Sequence, residues 1–130
     1  MKLNKEIIDS IVEKFNFSKL GGLIPCIAQD YSTGKVLMVG FQNKEALRKT
    51  LETGIVHYYS RTRQELWKKG GTSGHVQKVI KLFGDCDMDT VLAQVEQVGR
   101  ACHVPGQYSC FFNEITENGI KAHDPDPKYS

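Results

Sequence analysis

Apolar side chains recur at intervals of three and four at Leu3, Ile7, Ile8, Ile11, Val12 and Phe15, with Lys5, Glu6, Asp9, Glu13 and Lys14 between them. This period predicts an amphipathic helix over about residues 3–17 that covers one side of a sheet. Leu23–Gln29 and Lys35–Phe41 are short, apolar and partly β-branched, and Asp30-Tyr31-Ser32-Thr33-Gly34 between them has the turn chemistry of a hairpin. Asn43 is placed to cap a helix through Leu51, with Glu45 in its first turn and Gly54 just past its end. Ile55–Ser60, Val76–Phe83 and Val91–Val95 read as further strands. Thr62-Arg63-Gln64-Glu65 fits a reciprocal capping box and predicts a short helix, whereas Asn118–Ser130, with Pro125 and Pro127, predicts an irregular tail. The expected fold is α+β, mainly antiparallel sheet with flanking helices.

A length of 130 residues suits one domain over residues 1–130, which can bury roughly two thirds of its unfolded surface. Hydrophobic content of 40%, charged content of 25% and a net charge of +2 describe a globular chain and give no indication of nucleic acid as a partner. No window approaches the ~18 apolar residues of a membrane span, and Met1-Lys2-Leu3-Asn4-Lys5-Glu6 leads into no signal-type apolar run, so a cytoplasmic protein is expected. In a reducing compartment the four cysteines are ligands, nucleophiles or core residues before they are disulfides. Cys26, between Pro25 and Ile27, reads as a small buried hydrophobe, and His57 as an ordinary strand histidine.

The remaining three cysteines lie close to a cluster of acids. Asp85, Asp87 and Asp89 offer hard oxygen donors suited to magnesium, while Cys86, Cys102 and Cys110 offer thiolates suited to zinc. An extended Asp85–Asp89 segment would send Cys86 to one face and the aspartates to the other. A calcium-binding helix-loop-helix is excluded, because Thr90 stands where that loop needs glycine and an alternating apolar strand fills the rest. The cysteines form no Cys-x-x-Cys pair; at sequence intervals of 16 and 8 they supply three ligands and leave a position for water, the arrangement of a catalytic zinc. His103 next to Cys102 either closes the site as a fourth ligand or stands beside it as a proton shuttle; opposite pointing of neighbours favours the second.

Upstream, Trp67-Lys68-Lys69-Gly70-Gly71-Thr72-Ser73-Gly74-His75 joins cations, hydroxyls and glycines. With Arg61 and Arg63 it offers positive charge, and its glycines let backbone N–H groups approach an anion. The Walker order is absent, and spacing alone does not separate a phosphate loop from a solvated turn.

Asp85-Cys86-Asp87-x-Asp89, Gln97-x-Gly99 with Ala101-Cys102-His103, Ser109-Cys110-Phe111, Trp67-x-Lys69-Gly70-x-x-Ser73-Gly74 and Val36-Leu37-Met38 before Asn43-x-Glu45-Ala46-Leu47 closely resemble the phosphoribosyl-AMP cyclohydrolase family, over about residues 20–113. The resemblance implies a histidine-biosynthesis enzyme that adds water at C6 of N1-phosphoribosyl-AMP and breaks the N1–C6 bond. It implies zinc on Cys86, Cys102 and Cys110, magnesium on Asp85, Asp87 and Asp89, and a homodimer whose zinc site takes Cys86 from one chain and the other two cysteines from its partner. Candidate substrate contacts are then Arg61, Arg63, Trp67, Lys69, Gly70, Ser73, Gly74 and His75, with His103 catalytic.

Two features depart from the family's usual form: Gly71 replaces a glutamate, and the Cys102–Cys110 loop is one residue longer, with a bulge expected at Pro105-Gly106. The lost carboxylate leaves room for a diverged relative that hydrolyses another purine-like amidine. A non-enzymatic zinc-stabilised module is the reading from a different class, and it would have a closed four-ligand site and no use for three aspartates. Some relatives fuse this domain to a pyrophosphohydrolase; here that preceding step is expected from another polypeptide.

Overall fold

Asn4 accepts a hydrogen bond from the Ile7 N–H at 2.9 Å and starts helix α1 (Lys5–Lys14). In the computed structural model, which describes residues 3–130, α1 is shorter than its apolar stripe; residues 1 and 2 of the expected domain lie outside the described residues. Extended backbone at Phe15 ends the helix, and Phe17 enters the core from the following loop. Helix α2 (Lys44–Thr53) follows its signals at both ends. Asn43 accepts from the Ala46 N–H at 2.8 Å, and Gly54, at φ 72°, returns its N–H to the Thr50 carbonyl.

Strands β1 (Ile24–Asp30) and β2 (Val36–Gln42) form the expected hairpin. After α2 come β3 (His57–Ser60), β4 (Glu65–Lys68), β5 (Gln77–Gly84) and β6 (Val91–Gln97). The main sheet has the order β2-β1-β6-β5: two antiparallel hairpins joined by a parallel β1–β6 pair. The fold is thus α+β and mainly antiparallel. Ile24, Cys26 and Ala28 of β1 and Val91, Ala93 and Val95 of β6 are buried together with Ile8, Val12, Leu47 and Leu51 of the helices. Cys26 is fully enclosed and burial pushes its thiol up to about 12, which makes it the core residue expected. His57 is likewise a strand histidine, its Nδ1 2.8 Å from the Ile55 carbonyl oxygen.

Two elements differ from expectation. The capping box starts no helix: Arg61–Gln64 is a turn, with Gln64 at φ 52°, and β4 pairs antiparallel with β3. A helix confined between Thr62 and the Gly70-Gly71 pair has too few turns to repay nucleation, whereas the hairpin sets Tyr58 opposite Trp67 with ring centroids 5.0 Å apart. The tail is not irregular throughout. β7 (Asn113–Thr116) and β8 (Gly119–Ala122) form a hairpin, and a 3-10 turn at Pro127–Tyr129 follows. No helix among the described residues is long and apolar enough to cross a membrane.

Candidate metal and active site

Gly84 pairs with Val91, so residues 85–90 must reverse the chain between β5 and β6. The expected extended alternation is therefore replaced by a turn. Asp85 Oδ1 accepts from the N–H groups of Asp89 (2.9 Å) and Thr90 (3.2 Å), and Met88 adopts φ 57°. The turn, rather than a strand face, brings carboxylate oxygens of Asp85, Asp87 and Asp89 within 4.8 Å of one another. Lys19, from the loop after α1, places Nζ 2.7 Å from Asp87 Oδ2 and 2.7 Å from Asp89 Oδ2. Its ammonium, followed by a hydrogen bond involving Asp89, holds the Asp87 carboxyl down to about 2, and the lysine itself is shifted above its ordinary range. An ammonium thus already bridges two of the three acids, and their hard oxygens fit a magnesium ion. Cys86 is exposed on the same turn.

At the other end of β6 the chain enters the 102–110 loop. The Ala101 N–H donates to the Tyr108 carbonyl at 2.9 Å and closes its base. The Cys110 N–H donates to the Leu37 carbonyl at 2.7 Å, and Ser109 Oγ to the Val36 carbonyl at 2.7 Å, so the end of the loop hangs from β2. The Cys102 and Cys110 thiols adjoin; burial, then the neighbouring Cys102 sulfur, pushes Cys110 up to about 11. Two adjacent thiols, Cys102 buried and Cys110 exposed, are the donor chemistry that a thiophilic ion such as zinc satisfies. Two cations stand nearby: Arg100, whose Nη1 donates to the Cys102 carbonyl at 2.6 Å, and Lys69. The Lys69 Nζ donates to the Ala101 carbonyl, and burial lowers its pKa against the opposing pull of the two thiols.

Cys86 does not join this pair. The aspartates are the one group of three or more potential metal-binding His, Cys, Asp or Glu side chains among the described residues. Cys86 lies on the β5 edge of the sheet and Cys110 is tied to β2 on the other edge; each of the strand spacings between them is roughly 4.8 Å. His103 is exposed whereas Cys102 is buried, but residues 101–104 bend rather than run extended, so the strand alternation expected there is absent.

The remaining candidates fall into two sets. Arg61 lies over the Phe41 ring, 4.3 Å from its centroid, and Arg63 pairs with Glu65 at 3.4 Å at the β3–β4 turn. Trp67 packs against Tyr58 with the rings tilted by 31°, and Tyr58, buried near Cys110, donates to Gln77 Oε1 at 2.7 Å. In the glycine loop, Gly70 at φ 81° would place a Cβ 2.4 Å from the His75 carbonyl carbon, so no side chain fits there. The Gly71 and Gly74 N–H groups donate inside the loop, to the Lys68 and Gly70 carbonyls at 3.0 and 2.8 Å, and so face no anion. Ser73 Oγ accepts from the His75 N–H at 3.2 Å, and the His75 ring packs against Gly99. Sequence reasoning missed Lys19, which lies 68 residues from Asp87 along the chain, and the burial of Tyr58 beside Cys110. It also missed the tail's contacts with the 102–110 loop.

Similarity to known proteins follows the same residues. The phosphoribosyl-AMP cyclohydrolase family profile matches residues 38–112. The chain is 57% identical over 100 residues to a phosphoribosyl-AMP cyclohydrolase of Streptococcus mutans, covering 77% of this chain and 91% of the relative. It is 56% identical over 110 residues to that of Methanococcoides burtonii, covering 83% and 90%. For the Ignicoccus hospitalis protein of the same name, identity is 48% over 126 residues, 96% and 97% of the two chains. With identity at this level across most of its length, the chain belongs to the phosphoribosyl-AMP cyclohydrolase family.

Proposed function

We propose that the chain hydrolyses N1-phosphoribosyl-AMP in histidine biosynthesis, as a cytoplasmic homodimer that uses zinc and magnesium. The observation that carries this reading is the Cys102–Cys110 thiol pair beside Lys69, with Cys86 stranded on the opposite sheet edge. Cys86 of one protomer with Cys102 and Cys110 of its partner would hold zinc, and Asp85, Asp87 and Asp89 would hold magnesium. Zinc, when bound, supplies acidification of water toward neutral pH, and magnesium supplies positive charge for substrate oxygens.

The reaction forms one C6–O bond and breaks N1–C6. His103, exposed beside the thiol pair, takes a proton from the attacking water and returns it to N1 as that nitrogen leaves, while the second water proton passes to the exocyclic nitrogen on C6, which becomes the carboxamide NH2. C6 becomes the carboxamide carbon, and N1 stays with its phosphoribosyl group as the formimino nitrogen. Lys69 offsets thiolate charge from its half-buried position. Arg61, Arg63 and the Ser73 hydroxyl would meet substrate phosphates, Trp67 would flank the base, and Gly70, Gly74 and His75 would shape the loop that holds them. Purified protein given phosphoribosyl-AMP should show ring opening by ultraviolet absorbance, and zinc chelation should abolish it. Turnover that survives complete zinc removal would overturn the zinc assignment, and turnover only on other adenine nucleotides would overturn the substrate.

A further inference from the structure

The 102–110 loop has little internal support at its apex: the Gln107 N–H donates to the Val104 carbonyl at 3.2 Å and the Val104 N–H to Cys102 Sγ at 3.4 Å. The other restraints there come from the end of the chain. After β8, the His123 N–H donates to the Phe112 carbonyl at 2.8 Å and turns the tail back over the loop. Both polar groups of Gly106 are then taken up by the tail. Its N–H donates to the Tyr129 carbonyl at 2.7 Å, and its carbonyl accepts from the Asp126 N–H at 2.8 Å. Gly106 sits at φ 88°, and a Cβ there would lie 2.5 Å from Pro125 Cβ, so chain and tail meet with no space between them. Gln107, only 7% exposed, donates from Nε2 to the His123 carbonyl at 3.0 Å. The Tyr108 and Tyr129 rings stack with centroids 4.7 Å apart. The Tyr108 hydroxyl in turn donates to Asp30 Oδ2 at 2.6 Å, which links the stack to the β1–β2 turn.

We propose that residues 123–129 form a strap that positions the 102–110 loop, and that Tyr129 is a positioning residue for the reaction. The strap lies beyond residues 38–112, the stretch the family profile matches, although the Ignicoccus hospitalis relative aligns over 96% of the chain, and it grips the loop midway between Cys102 and Cys110, three residues from His103. The inference rests on the proposed role of this loop in holding zinc and moving the proton. Its physical basis is that small displacements of groups that must meet a substrate lower the rate steeply while leaving binding elsewhere intact.

The test uses Tyr129→Ala, Tyr129→Phe and Gly106→Ala in the full chain, read by steady-state kinetics and by amide hydrogen exchange. Tyr129→Ala should lower kcat about tenfold or more with KM within about twofold, since the loop's position and not the phosphate contacts is disturbed. Exchange should accelerate over residues 103–108 and stay unchanged over β6. Tyr129→Phe keeps the ring stack and should match the parent in both readouts. Gly106→Ala, which drives a methyl group into Pro125, should reproduce the Tyr129→Ala pattern. The strap is refuted if both alanine variants keep the parental kcat, if exchange rises locally without loss of kcat, or if exchange rises equally over β6. The site reading fails separately if Cys102→Ser keeps its zinc; loss of zinc there with parental behaviour in Tyr129→Ala rejects the strap alone.

Discussion

The aspartate turn and the paired thiols of Cys102 and Cys110 are both candidate metal sites, but they are built in opposite ways. The first needs only a hairpin reversal: residues within one turn, held by Asp85 accepting from two nearby N–H groups, bring three carboxylates together. The second needs β2 to anchor Cys110, Lys69 to reach the Ala101 carbonyl, and the tail to hold Gly106. A local site is exposed and tolerant of charge, as its contact with Lys19 shows. A site assembled from distant elements can bury Cys102 and raise the pKa of the Cys110 thiol beside it.

The largest effect is expected at the thiols. Cys102→Ser should lose zinc and activity together, because a hydroxyl replaces a thiolate poorly on a borderline-soft ion; metal analysis beside turnover checks it, and full zinc retention would sink the assignment. Unfolding Cys86→Ser and Cys102→Ser together and refolding them with zinc should revive about a quarter of all sites, because half of randomly paired dimers are mixed and each mixed dimer has one intact site. A flat result with confirmed subunit exchange means that all three cysteines act within one chain. Next, His103→Ala should keep zinc and lose roughly 10²-fold in turnover; stoichiometric zinc loss would make it a ligand instead.

Smaller effects are expected at the aspartate turn. Asp87→Asn should weaken magnesium dependence and substrate affinity with zinc unchanged, and an equal magnesium response in variant and parent counts against the hard-metal site. The smallest effect is on acid stability. Asp87 has its folded pKa depressed from 3.8 to about 2, first by Lys19, so its contribution is present above the unfolded value and is lost as pH falls between the two. Lys19→Met should therefore flatten the fall in melting temperature across that acid window, by a small amount because the pair is exposed. An unchanged acid slope removes Lys19 as the cause.

What the sequence determined by itself is whatever local chemistry decides. Asn43 and Gly54 bound α2 as their cap preferences require, the β1–β2 hairpin follows its turn residues, and alternation marks Val91, Ala93 and Val95 as core. The family marks were equally legible, because each is a short run of neighbouring residues. Tertiary structure decided the rest. Thr62–Glu65 satisfies a helix signal, yet cross-strand pairing of Tyr58 with Trp67 outweighs a helix too short to stabilise itself. Asp85–Asp89 alternates like a strand, but pairing of Gly84 with Val91 turns it into the reversal that gathers its carboxylates. Lys19 reaches Asp87 and Asp89, and Tyr129 reaches Gly106, only because the sheet brings distant segments side by side. A pattern read along the chain reports local preference; contacts between distant segments depend on which elements pack together, and no single segment encodes that.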